Sequence, residues 1–217
     1  MAGVIGVMGE SGAGKTSACR TLDPKKTFYV DADGKGLCWK GWKSQYNKEN
    51  ANYMRTSEVD KIMALFSKVN TDPKLKHIEV IVIDTINAIM VDDEMNRMKE
   101  KGYDKWAELA FSVYGLIKTA LLLRDDLTVV FIAHTQTERD DNGNVWVRIK
   151  TSGRKLDKIV LESKLTTVLH AKVVDGQYVF ETHSNNSTAK SPFGCFEEDT
   201  VPNDMNMVIN KIKEYME

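Results

Sequence analysis

The segment Gly9–Thr16 has the residue types and the spacing of a phosphate-binding loop. It reads GESGAGKT, that is, a glycine, four further residues and then Gly-Lys-Thr. A largely apolar run, residues 4–8, precedes it, and Ser17–Arg20 is expected to continue it as a helix, so the strand, loop and helix order of this motif is present. Small residues allow successive backbone N–H groups to turn toward an oxyanion, and a helix amino terminus adds to their field.

The predicted nucleotide contacts come from this one segment. Lys15 supplies a cation to the outer phosphates, and Thr16 supplies a hydroxyl to the Mg²⁺ ion that bridges them. A glycine-rich turn that merely joins a strand to a helix is the alternative, but such a turn has no need of the Lys-Thr pair. The residues predicted to contact the nucleotide are Gly9, Glu10, Ser11, Gly12, Ala13, Gly14, Lys15, Thr16 and Ser17.

A second acidic position follows a buried strand in the middle of the chain. Residues 77–85 contain a continuous Ile/Val run that ends at Asp84, as expected for a central strand covered on both faces. Ligands of doubly wound sheets bind at the carboxyl ends of the strands. Asp84 is therefore predicted to share the Mg²⁺ site with Thr16, through a coordinated water. A simple turn-forming aspartate is the alternative, and the upstream loop favours the metal.

Two other strands are expected to end in polar residues at the same edge. The strand 27–30 runs into Asp31–Gly34, and the buried strand 127–133 ends at His134. His134 is predicted to face the crevice and to contact the γ-phosphate, with a structural histidine as the competing interpretation. A polar loop, residues 137–144, comes next.

The remaining pattern alternates helices and strands. This alternation predicts an α/β fold with three α/β/α layers, a mostly parallel central sheet and a C-terminal β-hairpin. A basic and aromatic segment, residues 35–50, has the composition that stacks nucleic-acid bases, although tryptophans that pin a surface segment to the core explain it more simply. The other expected elements are helices at 57–69, 86–101, 104–124 and 155–163, a final helix capped by Asn203, and hairpin strands at 166–173 and 177–181.

Length and composition restrict the possible classes. The 217 residues suit one domain, residues 1–217, with no linker signal. A net charge of −1 argues against a strong basic field, so a nucleic acid would have to bind a local patch or an assembly of subunits. The three cysteines are odd in number and widely spaced, as in reduced cytoplasmic proteins, and no targeting or membrane-spanning segment is expected.

The order of these landmarks resembles the RecA-like division of P-loop ATPases, and most closely its phage nucleotide-binding proteins, some of which are RecA-related single-strand annealing proteins. The phosphate loop is the first point of similarity. The strand Tyr29–Asp33 is similar to one that ends in an aspartate, a spacer and a catalytic glutamate. Residues 130–134 resemble a strand whose terminal polar residue senses the γ-phosphate. Residues 189–194 are similar to the Ala-Lys-x-Arg-x-Gly finger of hexameric helicases.

The resemblance implies a set of roles. Asp33 would orient the attacking water, although the family has glutamate there. Lys190 would reach the nucleotide of a neighbouring subunit, while Pro192 stands where the finger has arginine. The implied ligands are ATP, Mg²⁺ and single-stranded DNA, bound by a homo-oligomeric ring or filament in phage-type recombination, annealing or replication, with residues 135–150 facing the DNA. The predicted catalytic residues are Lys15, Asp33, Asp84, His134 and Lys190.

Two alternatives stay open. A small-molecule or nucleotide kinase also begins with a phosphate loop, but it needs an arginine-rich lid, and only Arg139, Arg148 and Arg154 lie in the corresponding region. An ATP-driven loader or motor subunit is the other. The preference for adenine over guanine rests on the resemblance and on Asn47–Asn50, which lacks the closing aspartate of a guanine-reading box.

Overall fold

The chain folds as an α/β protein built on a mostly parallel sheet, as predicted. The computed structural model describes the backbone of residues 2–100, 104–151 and 160–217, and the side chains of all of these except 104–110. Within these ranges the sheet has nine strands: β1 (Gly3–Gly9), β2 (Thr27–Asp31), β3 (Tyr53–Arg55), β4 (Val80–Asp84), β5 (Thr128–Arg139), β6 (Val145–Ile149), β7 (Thr167–Val174), β8 (Gln177–Glu181) and β9 (Thr200–Pro202).

Helices cover both faces of this sheet. None of the described helices is long and apolar enough to cross a membrane. Short 3₁₀ helices occur at Ser17–Thr21, Pro73–Leu75 and Leu161–Lys164. The α-helices are α1 (Trp42–Gln45), α2 (Val59–Thr71), α3 (Ile86–Asn96), α4 (Asp104–Ala120) and α5 (Met205–Met216).

The strand order explains which residues meet. It is β3-β2-β4-β5-β1-β7-β8-β9, with β6 pairing to β5, and the pairs from β3 through β7 are parallel. Strand β5 therefore lies between β1 and β4. The register pairs Gly9 with His134, and Ile132 with Asp84, so the carboxyl ends of three strands meet at one edge.

Two apolar layers hold this sheet in place. Along β4, Ile81 and Ile83 pack in the layer formed by α2, α3 and α4, whereas Val80 and Val82 pack in the layer that includes α5. Burying each such side chain contributes about 1.5–3 kcal/mol. The continuous Ile/Val run is thus explained by burial on both faces.

The helix predicted after the phosphate loop is present only as a short 3₁₀ helix. Ser17–Thr21 is a five-residue 3₁₀ helix, and Leu22 is already extended, with φ −68° and ψ 142°. The next residue, Asp23, precedes Pro24, and a residue before proline avoids the helical region. The field at the loop therefore comes from its own N–H groups rather than from a long helix.

The prediction that the fifth strand stops before His134 was wrong. β5 continues through Arg139 and pairs antiparallel with β6, so residues 137–139 of the expected loop 137–144 belong to a strand, and most of residues 135–150 form a hairpin. Asp140 closes the turn by accepting hydrogen bonds from the backbone and side chain of Asn144. Of the predicted helix 155–163, residues 155–159 lie outside the described residues; part of the rest belongs to the 3₁₀ helix Leu161–Lys164.

The cap of the last helix was assigned one residue too early. The Asp204 side chain, not that of Asn203, accepts a hydrogen bond from Met207 N at 2.9 Å and begins α5. Asn203 is instead buried next to the phosphate loop.

The aromatic residues of segment 35–50 are packed into or against the core. Trp39 and Tyr46 meet edge to face, with ring centroids 6.0 Å apart, and the ring centroids of Trp42 and Tyr53 are 5.5 Å apart. The simpler interpretation of this segment is confirmed, because these rings are already occupied by protein contacts.

Candidate active site

The phosphate loop follows β1 and holds its lysine against its own carbonyls. Gly12 and Gly14 have φ of +81° and +90°, which non-glycine residues rarely adopt. Lys15 is buried, and its Nζ donates to the carbonyl oxygens of Gly9 at 2.8 Å and Glu10 at 2.7 Å. Burial lowers the pKa of Lys15, while the charge of Asp84 opposes this effect. The ammonium is therefore already at the loop, where phosphate oxygens can replace the carbonyls.

The C-terminal strands close against this loop. A Cβ added to Gly14 would lie 2.7 Å from Tyr178 Cδ1 and 3.2 Å from both polar atoms of the Asn203 amide. The sequence reasoning missed Tyr178 and Asn203, because only the pairing of β7 beside β1 brings them there. A glycine at position 14 is thus required for space as well as for backbone conformation.

Asp84 and Thr16 meet across the crevice. Thr16 Oγ1 donates to Asp84 Oδ2 at 2.7 Å, and the buried Tyr29 hydroxyl donates to the same oxygen at 2.7 Å. Tyr29 comes from β2, which pairs with β4 in parallel register. Three elements far apart in sequence thus fix the position of one carboxylate.

The donor set at Asp84 fits a magnesium ion. Asp84 Oδ1 is buried and has no hydrogen-bond partner among the described residues. Burial raises the pKa of Asp84, and the hydrogen bonds from Tyr29 and Thr16 lower it. A carboxylate and a hydroxyl are hard oxygen ligands of the kind that Mg²⁺ takes alongside waters and substrate phosphates. The described residues contain no cluster of three His, Cys, Asp or Glu side chains able to hold a metal alone.

Asp33 lies at the same edge with both of its oxygens in contact. One oxygen accepts from the Thr85 hydroxyl at 3.2 Å, and the other is paired with the Lys35 ammonium. Lys35 shares the phosphate-loop cavity with Lys15 and Thr16. Lys35 belongs to the basic and aromatic segment 35–50, and nothing in the sequence pattern indicates this contact.

His134 is held by its backbone. Its N–H donates to Asn87 Oδ1 at 2.7 Å, and its carbonyl accepts from Lys150 N at 2.8 Å. Burial lowers the pKa of His134, and the charge of Lys15 lowers it further. A neutral imidazole therefore faces the cavity at neutral pH.

Lys190 lies apart from the other predicted catalytic residues. Its backbone N–H and carbonyl pair with the carbonyl and N–H of Val168, at 2.8 Å each. Val168 pairs with Gly6, three residues before Gly9 along β1, which corresponds to about 10 Å of strand. The structure brings Lys15, Asp33, Asp84 and His134 together within one chain, but it does not bring Lys190 to them.

Three cavities follow one another at this edge. The phosphate-loop cavity is about 400 Å³ and is lined by Lys15, Thr16 and His134. A neighbouring cavity of about 360 Å³ is lined by Asp33, His134 and Lys150, and one of about 490 Å³ by Tyr178 and Asn203. Such volumes suit small-molecule ligands. A larger cavity of about 610 Å³ between α2, α3 and α4 is lined by four carboxylates, which would repel a triphosphate.

The fold and the site define a P-loop NTPase. Residues 2–193 match the AAA_24 family, described as an AAA domain. Because the match spans most of the chain, the protein belongs to this family, which implies nucleotide binding and hydrolysis in general. None of the curated proteins matches the chain. The narrower relation to RecA-like phage proteins stays a prediction.

Proposed function

We propose that this protein is a Mg²⁺-dependent ATPase that works as a homo-oligomer on single-stranded DNA. One observation carries the nucleotide part of the proposal: Thr16 Oγ1 lies 2.7 Å from Asp84 Oδ2, while Asp84 Oδ1 is buried without a partner. Lys15 and the loop N–H groups would bind the phosphates, and Thr16 and Asp84 would hold Mg²⁺. The bound ion would neutralise charge on the phosphates.

Hydrolysis requires mainly positioning and charge neutralisation. A water attacks the γ-phosphorus, the bond to the β–γ bridging oxygen breaks, and Asp33 takes the proton of the water. The neutral imidazole of His134 donates to a γ-phosphate oxygen. The contacts of His134 with Asn87 and Lys150 support its role, because they tie the sensor to the base of the β5–β6 hairpin.

The DNA and oligomer parts of the proposal rest on the resemblance. In that arrangement Lys190 acts on the nucleotide of the adjacent subunit, which agrees with its separation from Lys15 in its own chain. The β5–β6 hairpin is the proposed DNA-facing segment. It is linked to the phosphate loop because the Thr135 hydroxyl donates to the Glu10 carboxylate.

The test is ATP turnover with and without Mg²⁺ and a single-stranded oligonucleotide. The wild type should require Mg²⁺ and be stimulated by DNA, whereas Lys15→Ala should be inactive and the exposed-lysine control Lys40→Ala should behave as wild type. Lys190→Ala should lose stimulation and regain it when mixed with Lys15→Ala. A wild type that binds no nucleotide at millimolar Mg²⁺ would contradict the proposal.

A kinase is the second candidate, and one cavity favours it. The space of about 360 Å³ beside Asp33 shares two lining residues, His134 and Thr85, with the phosphate-loop cavity, and it has room for a small acceptor. Arg148, one of the expected lid residues, is buried and contributes no free lid cation, and Arg154 lies outside the described residues. Phosphate transfer to a nucleoside or sugar in place of water would select this candidate. Movement of a partner protein driven by ATP would select a loader or motor.

A further inference from the structure

Lys35 is a second cation in the phosphate-loop cavity, and it has no part in the proposed ATPase mechanism. It lines this cavity together with Lys15, Thr16 and His134. Its ammonium is paired with Asp33, the proposed proton acceptor. We infer, on the basis of the proposed ATPase function, that Lys35 is a catalytic cation supplied in cis: its ammonium leaves Asp33 and binds the γ-phosphate oxygens as ATP enters.

The loop that carries Lys35 is fixed. The buried Asp31 carboxylate accepts hydrogen bonds from Gly36 N at 2.8 Å and from the Tyr53 hydroxyl at 2.6 Å. Gly36 has φ +82°, and a Cβ there would lie 2.8 Å from the Trp42 ring. These contacts anchor the backbone on the carboxyl side of Lys35, which places the side chain at the cavity.

The electrostatic surroundings support a position among the reacting groups. Burial lowers the pKa of Lys35, but the hydrogen bond to Asp33 and the charges of nearby carboxylates, Asp33 foremost, together outweigh this and raise it overall, so the side chain is charged at neutral pH. The Lys35 charge in turn contributes to the lowered pKa of both Lys15 and His134. An electrostatic effect on both groups requires that the Lys35 ammonium lies near them.

The exchange of partners is favourable. The Lys35 side chain is 56% exposed, and an ion pair with such exposure contributes little free energy. A triphosphate carries several negative charges and competes strongly for the ammonium. When Lys35 moves to the γ-phosphate, the Asp33 oxygen that accepted from the ammonium becomes open to the attacking water.

The transfer of Lys35 then prepares both halves of the reaction. Its ammonium neutralises charge on the γ-phosphoryl group as the bond to the bridging oxygen breaks. The oxygen of the attacking water forms the new bond to phosphorus, and the released Asp33 carboxylate accepts a proton from this water. ADP and phosphate result. The same chain thus supplies one cation to the γ-phosphate, in addition to the Lys190 that the resemblance assigns to a neighbouring subunit.

The first test compares Lys35→Ala, Lys35→Gln and Lys35→Arg with the exposed-lysine control Lys40→Ala. At saturating ATP, the two neutral variants should lose about 100-fold in single-turnover rate, while their affinity for ATP changes less than about tenfold. Lys35→Arg should retain most of the rate, and Lys40→Ala all of it. A wild-type rate in both neutral variants would overturn the inference, as would equal losses of rate and affinity.

The second test does not depend on turnover. Aluminium fluoride with ADP mimics the transferring phosphoryl group, so it should tighten ADP binding by the wild type. The neutral Lys35 variants should lose this tightening and keep their affinity for ADP alone. If the neutral Lys35 variants show the same tightening as the wild type, the inference is overturned, whether or not the wild type hydrolyses ATP. An absence of hydrolysis by the wild type would instead count against the proposed ATPase. Rescue of Lys35→Ala by added Lys15→Ala subunits would also overturn it, because the lysine would then act in trans.

Discussion

The substitution Tyr29→Phe removes one of the two hydroxyls that fix Asp84. The Tyr29 hydroxyl donates to Asp84 Oδ2 at 2.7 Å, and the residue is fully buried. A buried hydrogen bond to a charged group contributes about 1.5–3 kcal/mol. The phenyl ring keeps its edge contacts with Trp39 and Tyr46, at centroid distances of 6.3 and 5.6 Å, so the change isolates the hydroxyl.

We expect Tyr29→Phe to lower the free energy of unfolding by about 2 kcal/mol. For a chain of this length that loss corresponds to a Tm lower by about 4–8 °C. The measurement is urea and thermal unfolding without nucleotide, followed by ATP titration, in which Asp84 should bind Mg²⁺–ATP less tightly once its orientation is looser.

The matched control is Tyr46→Phe. The Tyr46 hydroxyl is also buried, but it has no hydrogen bond within 3.5 Å in the described residues. Burial raises the pKa of Tyr46, and the nearby Thr27 side chain lowers it by a smaller amount. Removing an unpaired buried hydroxyl should cost almost nothing or stabilise the fold. Equal stability losses in the two variants would refute the assignment of the Tyr29 hydroxyl to Asp84.

Three further perturbations have defined outcomes. Gly14→Ala should abolish nucleotide binding, because its Cβ would meet Tyr178 Cδ1 at 2.7 Å. Gly12→Ala has open space around the new Cβ and should retain part of the binding, so ATP titration distinguishes the two variants. Burial lowers the pKa of His170, so the unfolded protein binds more protons than the folded protein below about pH 6.5. The free energy of unfolding, measured with urea, should therefore fall as the pH drops below this value, and it should fall less in His170→Gln. Thr135→Val breaks the contact with the phosphate loop and should weaken ATP binding about two- to fivefold, with Thr137→Val as the control.

The positions of most candidate-site residues could be predicted because their signals are local. The loop motif, the Ile/Val run before Asp84 and the carboxylate of Asp33 are each read within a few residues. Parallel pairing then brings strand ends to one edge, whatever the exact order of the strands. The contact between Thr16 and Asp84 follows from these facts.

The errors have physical reasons. The turn residues around Asp140 indicated a loop, and the alternation of Thr135 and Thr137 that continues β5 was overlooked. Asn203 and Asp204 are both good cap residues, and only the structure shows that the Asn203 amide is buried beside Gly14 instead. Proximity of Lys35 and Tyr178 to the loop is a tertiary result that no local pattern encodes.

The central claim is that the phosphate loop and Asp84 together bind a magnesium nucleotide. Its most direct test is the affinity for ATP, measured with and without Mg²⁺, in the wild type and in Asp84→Asn. We expect Mg²⁺ to tighten ATP binding in the wild type and to have little effect in Asp84→Asn. Binding that is indifferent to Mg²⁺ in the wild type, or equally Mg²⁺-dependent in both proteins, would contradict it.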